Sequence, residues 1–151
     1  AEAEDFVKEY FRAFPGVKNY LDGIRKFATE NGYVETLLGR RRYFPALQGQ
    51  MNRNLRNREE REAINAPIQG TAADIMKLAM LRIPPALASA RLKGQMLLQV
   101  HDELVLECPE GELDKMVRVV KEVMSSAYPL DIPLDTEARA GRSWGEMQVL
   151  G

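Results

Sequence analysis

The sequence predicts an α+β fold, in which a long helix and further amphipathic helices pack a small antiparallel sheet made of two hairpins and a C-terminal strand. Three observations carry that expectation. Apolar residues recur at helical spacing over most of the chain. Two stretches, "YVETLLGRRRYF" and "MLLQVHDELVLE", instead read as pairs of short strands around turn residues. Helices and hairpins also follow one another without the regular strand–helix alternation of a parallel sheet.

The elements follow in order. Phe6, Tyr10, Phe11 and Phe14 mark a first helix, which Pro15 and Gly16 interrupt. Val17, Tyr20, Leu21, Ile24, Phe27 and Ala28 mark a second. Asn31-Gly32 is a helix stop, since both residues tolerate positive φ. The first hairpin is expected to turn at Gly39. Residues 54–66 begin polar and become helical in period, and Ile64, Ile68, Ile75, Ala79 and Ile83 give the buried stripe of a long helix. Pro67 should start a new turn or kink it, and Pro84-Pro85 should loosen or end it. Met96–Val100 and Leu104–Glu107 are apolar strands joined at His101-Asp102. Leu113, Met116, Val117, Val120, Val123, Met124 and Ala127 pattern a helix with Glu110, Glu112 and Asp114 at its positive end and Pro129 after it. Leu134, Thr136, Ala138 and Ala140 alternate with charged residues, as in a half-buried strand.

A length of 151 residues, a hydrophobic share of 45% and a charged share of 28% are those of one ordinary globular domain. No repeat or long linker divides it, so residues 1–151 read as a single domain. The single cysteine, Cys108, excludes an internal disulfide. A reducing, cytoplasmic setting is therefore expected. No apolar run is long enough to span a membrane. The chain opens "AEAEDF" without methionine, as expected of a piece of a longer protein and equally of Met removal before Ala.

A net charge of −1 argues against a wholesale polyanion binder, but the charge is uneven. Residues 40–61 hold seven arginines against Glu59 and Glu60, and residues 101–151 hold eleven acids against five bases. The basic stretch is either a solvated face or a surface for phosphates. Within it, Arg61, Asn65 and Gln69 lie at i, i+4 and i+8 on one helix face. They form either a solvated stripe or a row of donors suited to a duplex minor groove, where every base pair offers acceptors. The run Arg40-Arg41-Arg42, with Tyr43 and Phe44 beside it, suits phosphate contact. At the second turn, His101, Asp102 and Glu103 are either ordinary turn and surface residues or a rigidly held carboxylate site. A hard cation such as Mg²⁺ binds through one or two carboxylates plus substrate phosphates. Asp102 and Glu103 point to opposite strand faces, so they share one ion only with help from the turn.

Together, "GYVETLLGRRRYFP", "REAINAPIQGTAADIMKLAM", "MLLQVHDELVLE" and the closing "GRSWGEM" closely resemble, in that order and spacing, the C-terminal part of family A (polymerase-I-type) DNA polymerases. The resemblance covers nearly the whole chain, from about Glu4 onward. It implies the C-terminal portion of a polymerase palm, with residues 1–30 as a helical lead-in after the fingers helix. It implies DNA-directed DNA synthesis in replication and repair, by attack of a primer 3′-hydroxyl on a dNTP at a two-Mg²⁺ site. Asp102 is then the metal-binding catalytic carboxylate, Glu103 its acidic neighbour, and His101 a residue near the primer end. Arg61, Asn65 and Gln69 would follow the minor groove, and Arg40, Arg41 and Arg42 would approach the backbone of the primer-template.

The departures are as informative. No "DYSQIELR"-like strand with the family's other catalytic Asp occurs, and no "RxxxKxxxFxxxYG"-like nucleotide-binding helix. The chain carries one wall of the active site and is expected to be unable to extend a primer alone. Without the N-terminal strands its sheet edge is expected to favour self-association. The alternative is a non-catalytic duplex-DNA-binding module that retains the palm surface.

Overall fold

A computed structural model describes residues 2–50 and 52–150. Helix α1 spans Glu2–Ala13 and α2 spans Pro15–Asn31; strands β1 (Tyr33–Glu35) and β2 (Arg41–Tyr43) follow, then a short 3-10 turn at Pro45–Gln48. Helix α3 runs over Arg53–Ser89, strands β3 and β4 over Gln95–Val100 and Glu103–Glu107, and helix α4 over Leu113–Ser125. Strands β5 (Arg139–Ala140) and β6 (Gln148–Val149) close the chain. This is the expected α+β arrangement, with one correction to the sheet. The described residues form three separate two-stranded antiparallel ladders, β1–β2, β3–β4 and β5–β6, rather than one sheet.

The helix boundaries come from local chemistry. Pro15 occupies the start of α2, where its missing N–H costs nothing. Gly32 ends α2 at φ 72°, and its N–H donates to the Ala28 carbonyl at 2.9 Å. Helix α3 departs from expectation, because Pro67, Pro84 and Pro85 all lie within it. Buried Ile83 and Leu87 flank Pro84-Pro85 and pack in one cluster with Met116 and Val120, which holds that turn helical despite the lost hydrogen bonds. The buried line of α3 is Ala63, Thr71, Asp74, Ala79, Ile83 and Leu87. Ile68, expected inside, is 58% exposed. Two of the buried positions, Thr71 and Asp74, are polar, and apolar periodicity alone does not locate them.

Two further elements differ. The strand expected over 134–140 shrinks to Arg139–Ala140, because its partner β6 is only two residues long and a ladder extends no further than its partner. Helix α4 stops at Ser125, before Pro129, where the Ser126 N–H and hydroxyl both donate to the Glu122 carbonyl.

Contacts cluster into two compact units, one closing at Thr71 and the other opening at Ala72. Each has its own apolar centre. In the first, Ala28, Val34, Phe44, Leu47 and Ala63 are buried together, with Ile24 and Ala66 packed against them. Full burial of a side chain such as Phe44 or Leu47 contributes about 1.5–3 kcal/mol. In the second, Ile83, Leu87, Met116 and Val120 form the centre, flanked by Leu104, Leu106 and Cys108 among others. No helix among the described residues is long and apolar enough to cross a membrane.

Candidate functional site

The first unit presents the arginine hairpin. Strands β1 and β2 pair as Tyr33↔Tyr43, Val34↔Arg42 and Glu35↔Arg41. Gly39 takes φ 83° in the turn, as expected of the residue that must reverse the chain. Buried Thr36 organises that turn: its hydroxyl accepts the Arg40 N–H at 3.1 Å, and its own N–H donates to the Arg40 carbonyl at 2.9 Å. Helix α3 docks on the turn at a point of very close approach. The Thr71 hydroxyl accepts the Leu37 N–H at 3.0 Å, and a Cβ on Gly70 would lie 2.6 Å from the Thr36 methyl. Gly70 is therefore a packing requirement.

The arginines of this unit are mostly engaged. Arg41 binds Glu35 at 2.5 Å across the hairpin and lies 4.4 Å over the Tyr33 ring. Arg42 binds Glu62 of α3 at 2.5 Å and lies 5.1 Å from the Phe44 ring centroid. The other oxygen of Glu62 takes Arg58 at 3.1 Å. The Arg58 hydrogen bond and the nearby Arg42 charge hold the Glu62 carboxyl below the usual carboxylate range. The hydrogen bond that Arg41 donates to the Glu35 carboxylate is the chief cause that raises Arg41 above its ordinary value.

Arg61, Asn65 and Gln69 are all exposed on α3, successive positions about 6 Å apart along the axis. Gln69 and Arg40, Arg41 and Arg42 line one cleft of about 240 Å³ with Pro67 and Gly70. Arg61 lines a second, more open cleft with Arg25, Asn54, Asn57 and Glu60. Its Nε donates to the Asn57 carbonyl at 3.2 Å. The sequence reading overlooked Glu35 and Glu62, which fall just outside the charge window of 40–61. Arg58 to Glu62 is an i, i+4 pair, and that spacing was the available signal.

The second unit presents the acidic hairpin. Strands β3 and β4 are antiparallel, with Val100↔Glu103 closing a two-residue turn at His101 and Asp102. The register shifts between Met96 and Leu98, a bulge of the kind that re-aims side chains near functional sites. His101 has φ 54°, the left-handed region that hairpin turns usually give to Gly or Asn. Non-Gly residues there cost about 1–2 kcal/mol and mark sites worth attention. The Gln99 side-chain amide donates to the His101 carbonyl and clamps the turn. His101, Asp102 and Glu103 are exposed, and Asp102 makes no hydrogen bond or ion pair among the described residues. Strand β3 is less buried than its composition suggests, with Leu97 and Leu98 about half exposed. Among the described residues no three His, Cys, Asp or Glu side chains come together as a complete metal site.

The chain is 49% identical over 144 residues to DNA polymerase I of Mycobacterium leprae (strain TN), covering 95% of this chain and 16% of the relative. It is 50% identical over 145 residues to the thermostable DNA polymerase I of Thermus filiformis, covering 96% of this chain and 17% of the relative. The chain thus spans about a sixth of the length of these curated relatives. A solved structure of the POL domain of Pol1 from M. smegmatis, in complex with DNA primer-template and dNTP, superposes with a TM-score of 0.83 at 48% identity, over 89% of this chain and 24% of that one. The family model for DNA polymerase family A matches residues 1–146, and the chain belongs to that family.

Proposed function

We propose that this chain is the C-terminal palm portion of a template-directed DNA polymerase, acting in the cytoplasm on primer-template DNA and dNTP. The single observation that carries the reading is the acidic turn: an uncommitted, exposed Asp102 carboxylate on a clamped hairpin, in a chain of family A. In the complete enzyme Asp102 is the catalytic, metal-binding carboxylate, Glu103 supports it, and His101 lies by the primer end. Asp102 suits Mg²⁺ chemically, as a hard oxygen donor with no competing cation. Such an ion, when bound, lowers the cost of ionising the attacking hydroxyl and of developing charge on phosphate oxygens. One carboxylate turn is one side of a site, so the isolated chain cannot extend a primer. Arg61, Asn65 and Gln69 follow the minor groove of the new duplex, and the hairpin of Arg40, Arg41 and Arg42 lies toward the backbone. The outer edges of β3–β4 have no third strand among the described residues, which favours self-association of the isolated chain.

The test is a pair of variants in the complete polymerase. Asp102→Ala should nearly abolish primer extension and leave primer-template binding intact, whereas Arg61→Ala should weaken binding. The binding-module alternative predicts that Asp102→Ala is silent. Primer extension by the isolated chain, lost in Asp102→Ala, would refute its predicted incompetence.

A further inference from the structure

The arginine-rich segment carries less available charge than its sequence advertises. Glu62 holds Arg42 with one oxygen and Arg58 with the other, and Glu35 holds Arg41. All three contacts involve substantially exposed side chains, Arg58 being 70% exposed. Exposed ion pairs of this kind contribute little to folding. Their geometry is nevertheless the one a guanidinium offers to a phosphate: short, charge-assisted N–H···O bonds to an anionic oxygen. Aromatic rings behind Arg41 and Arg42 fix the guanidinium planes, so the arginines remain shaped for an anion and are already holding one.

We propose that Glu62 and Glu35 are internal counter-ions that occupy Arg42, Arg58 and Arg41 in place of nucleic-acid phosphate, and so limit how many cations of this segment engage the duplex. The inference rests on the reading of this segment as a duplex interface. Its function is to keep binding weak enough, and insensitive enough to salt, for the enzyme to move along its template. Arg61 has no carboxylate partner among the described residues and is the cation that does meet phosphate or base acceptors. Glu59 is the internal control: it lies on the same helix and has no cation partner among the described residues.

Equilibrium binding of a labelled primer-template by the complete polymerase, titrated between about 50 and 200 mM salt, measures the number of phosphates neutralised. Glu62→Gln frees two guanidinium groups and should steepen the slope of log K against log salt by about 1 to 2, with Glu35→Gln adding up to about 1. Glu59→Gln should leave the slope within about 0.3, and Arg61→Gln should make it shallower by about 1. Equal effects of Glu62→Gln and Glu59→Gln would mean a long-range charge effect and overturn the proposal. A loss of slope in Arg42→Gln as large as in Arg61→Gln would also overturn it, because Arg42 would then be a phosphate contact. A slope that no variant moves, Arg61→Gln included, overturns the interface reading itself and the counter-ion proposal with it.

Discussion

The two hairpins of this chain, one of short strands and one of longer strands, make opposite commitments. In β1–β2 nearly every polar group is engaged: Thr36 binds the turn, Thr71 binds the Leu37 N–H, Arg41 is held by Glu35, and Arg42 by Glu62. In β3–β4 the backbone is constrained, with a bulge, a left-handed His101 and the Gln99 clamp, while the Asp102 carboxylate has no protein partner among the described residues. The first hairpin spends its side chains on positioning a surface. The second fixes its backbone so that a side chain stays available. Groups awaiting a ligand are recognised by what they leave unbound, and groups that shape a surface by what they already hold.

That contrast can be broken most directly at Asp102. Asp102→Asn removes a charge that has no partner among the described residues, so thermal unfolding of the complete polymerase should be unchanged. Its primer-extension rate should fall by at least about a hundredfold, the scale of losing one preorganised electrostatic group. A large drop in melting temperature would show that the carboxylate is structural. The arginine hairpin should behave in the opposite way at Gly70. A valine there drives a side chain into the Thr36 methyl, so Gly70→Val should cost about 1–3 kcal/mol in denaturant unfolding. Unchanged stability would mean that the helix and the turn are not held at the separation seen here.

The smallest expected effect sharpens the second unit. Cys108 packs at the edge of the Ile83–Met116 cluster, and burial, followed by the negative charge of Glu112, pushes its thiol up from the ordinary value. The thiol should therefore stay protonated at neutral pH, and alkylation should be slow until the pH rises beyond that of an ordinary free thiol. Rapid labelling at about pH 7 would indicate that this edge opens readily.

Much was legible in advance because it depends on short-range chemistry. Gly32 and Gly39 announce positive φ, Pro15 announces a helix start, and "QVHDEL" announces two strands with a polar turn. What failed were judgements about neighbours. Ile68 is apolar and exposed, while Thr71 and Asp74 take the buried positions, since packing on α3 selects by location as well as by polarity. Pro84-Pro85 alone reads as a loosening or end of α3, and the burial of Ile83 and Leu87 overrides it. The charge excess of residues 40–61 leaves a solvated face and a phosphate surface both open in the sequence, because Glu35 and Glu62 stand outside that window and reach into it only through the hairpin and the helix face.

The sequence by itself determined the family, most of the helices and turns, and which residues are candidates for chemistry, because those follow from residue type at fixed spacing. Only the tertiary structure decided which of them are already occupied. Side chains distant in sequence, such as Arg42 and Glu62, meet because a helix and a hairpin dock at Gly70, and the strength of an ion pair depends on a separation that no linear pattern specifies.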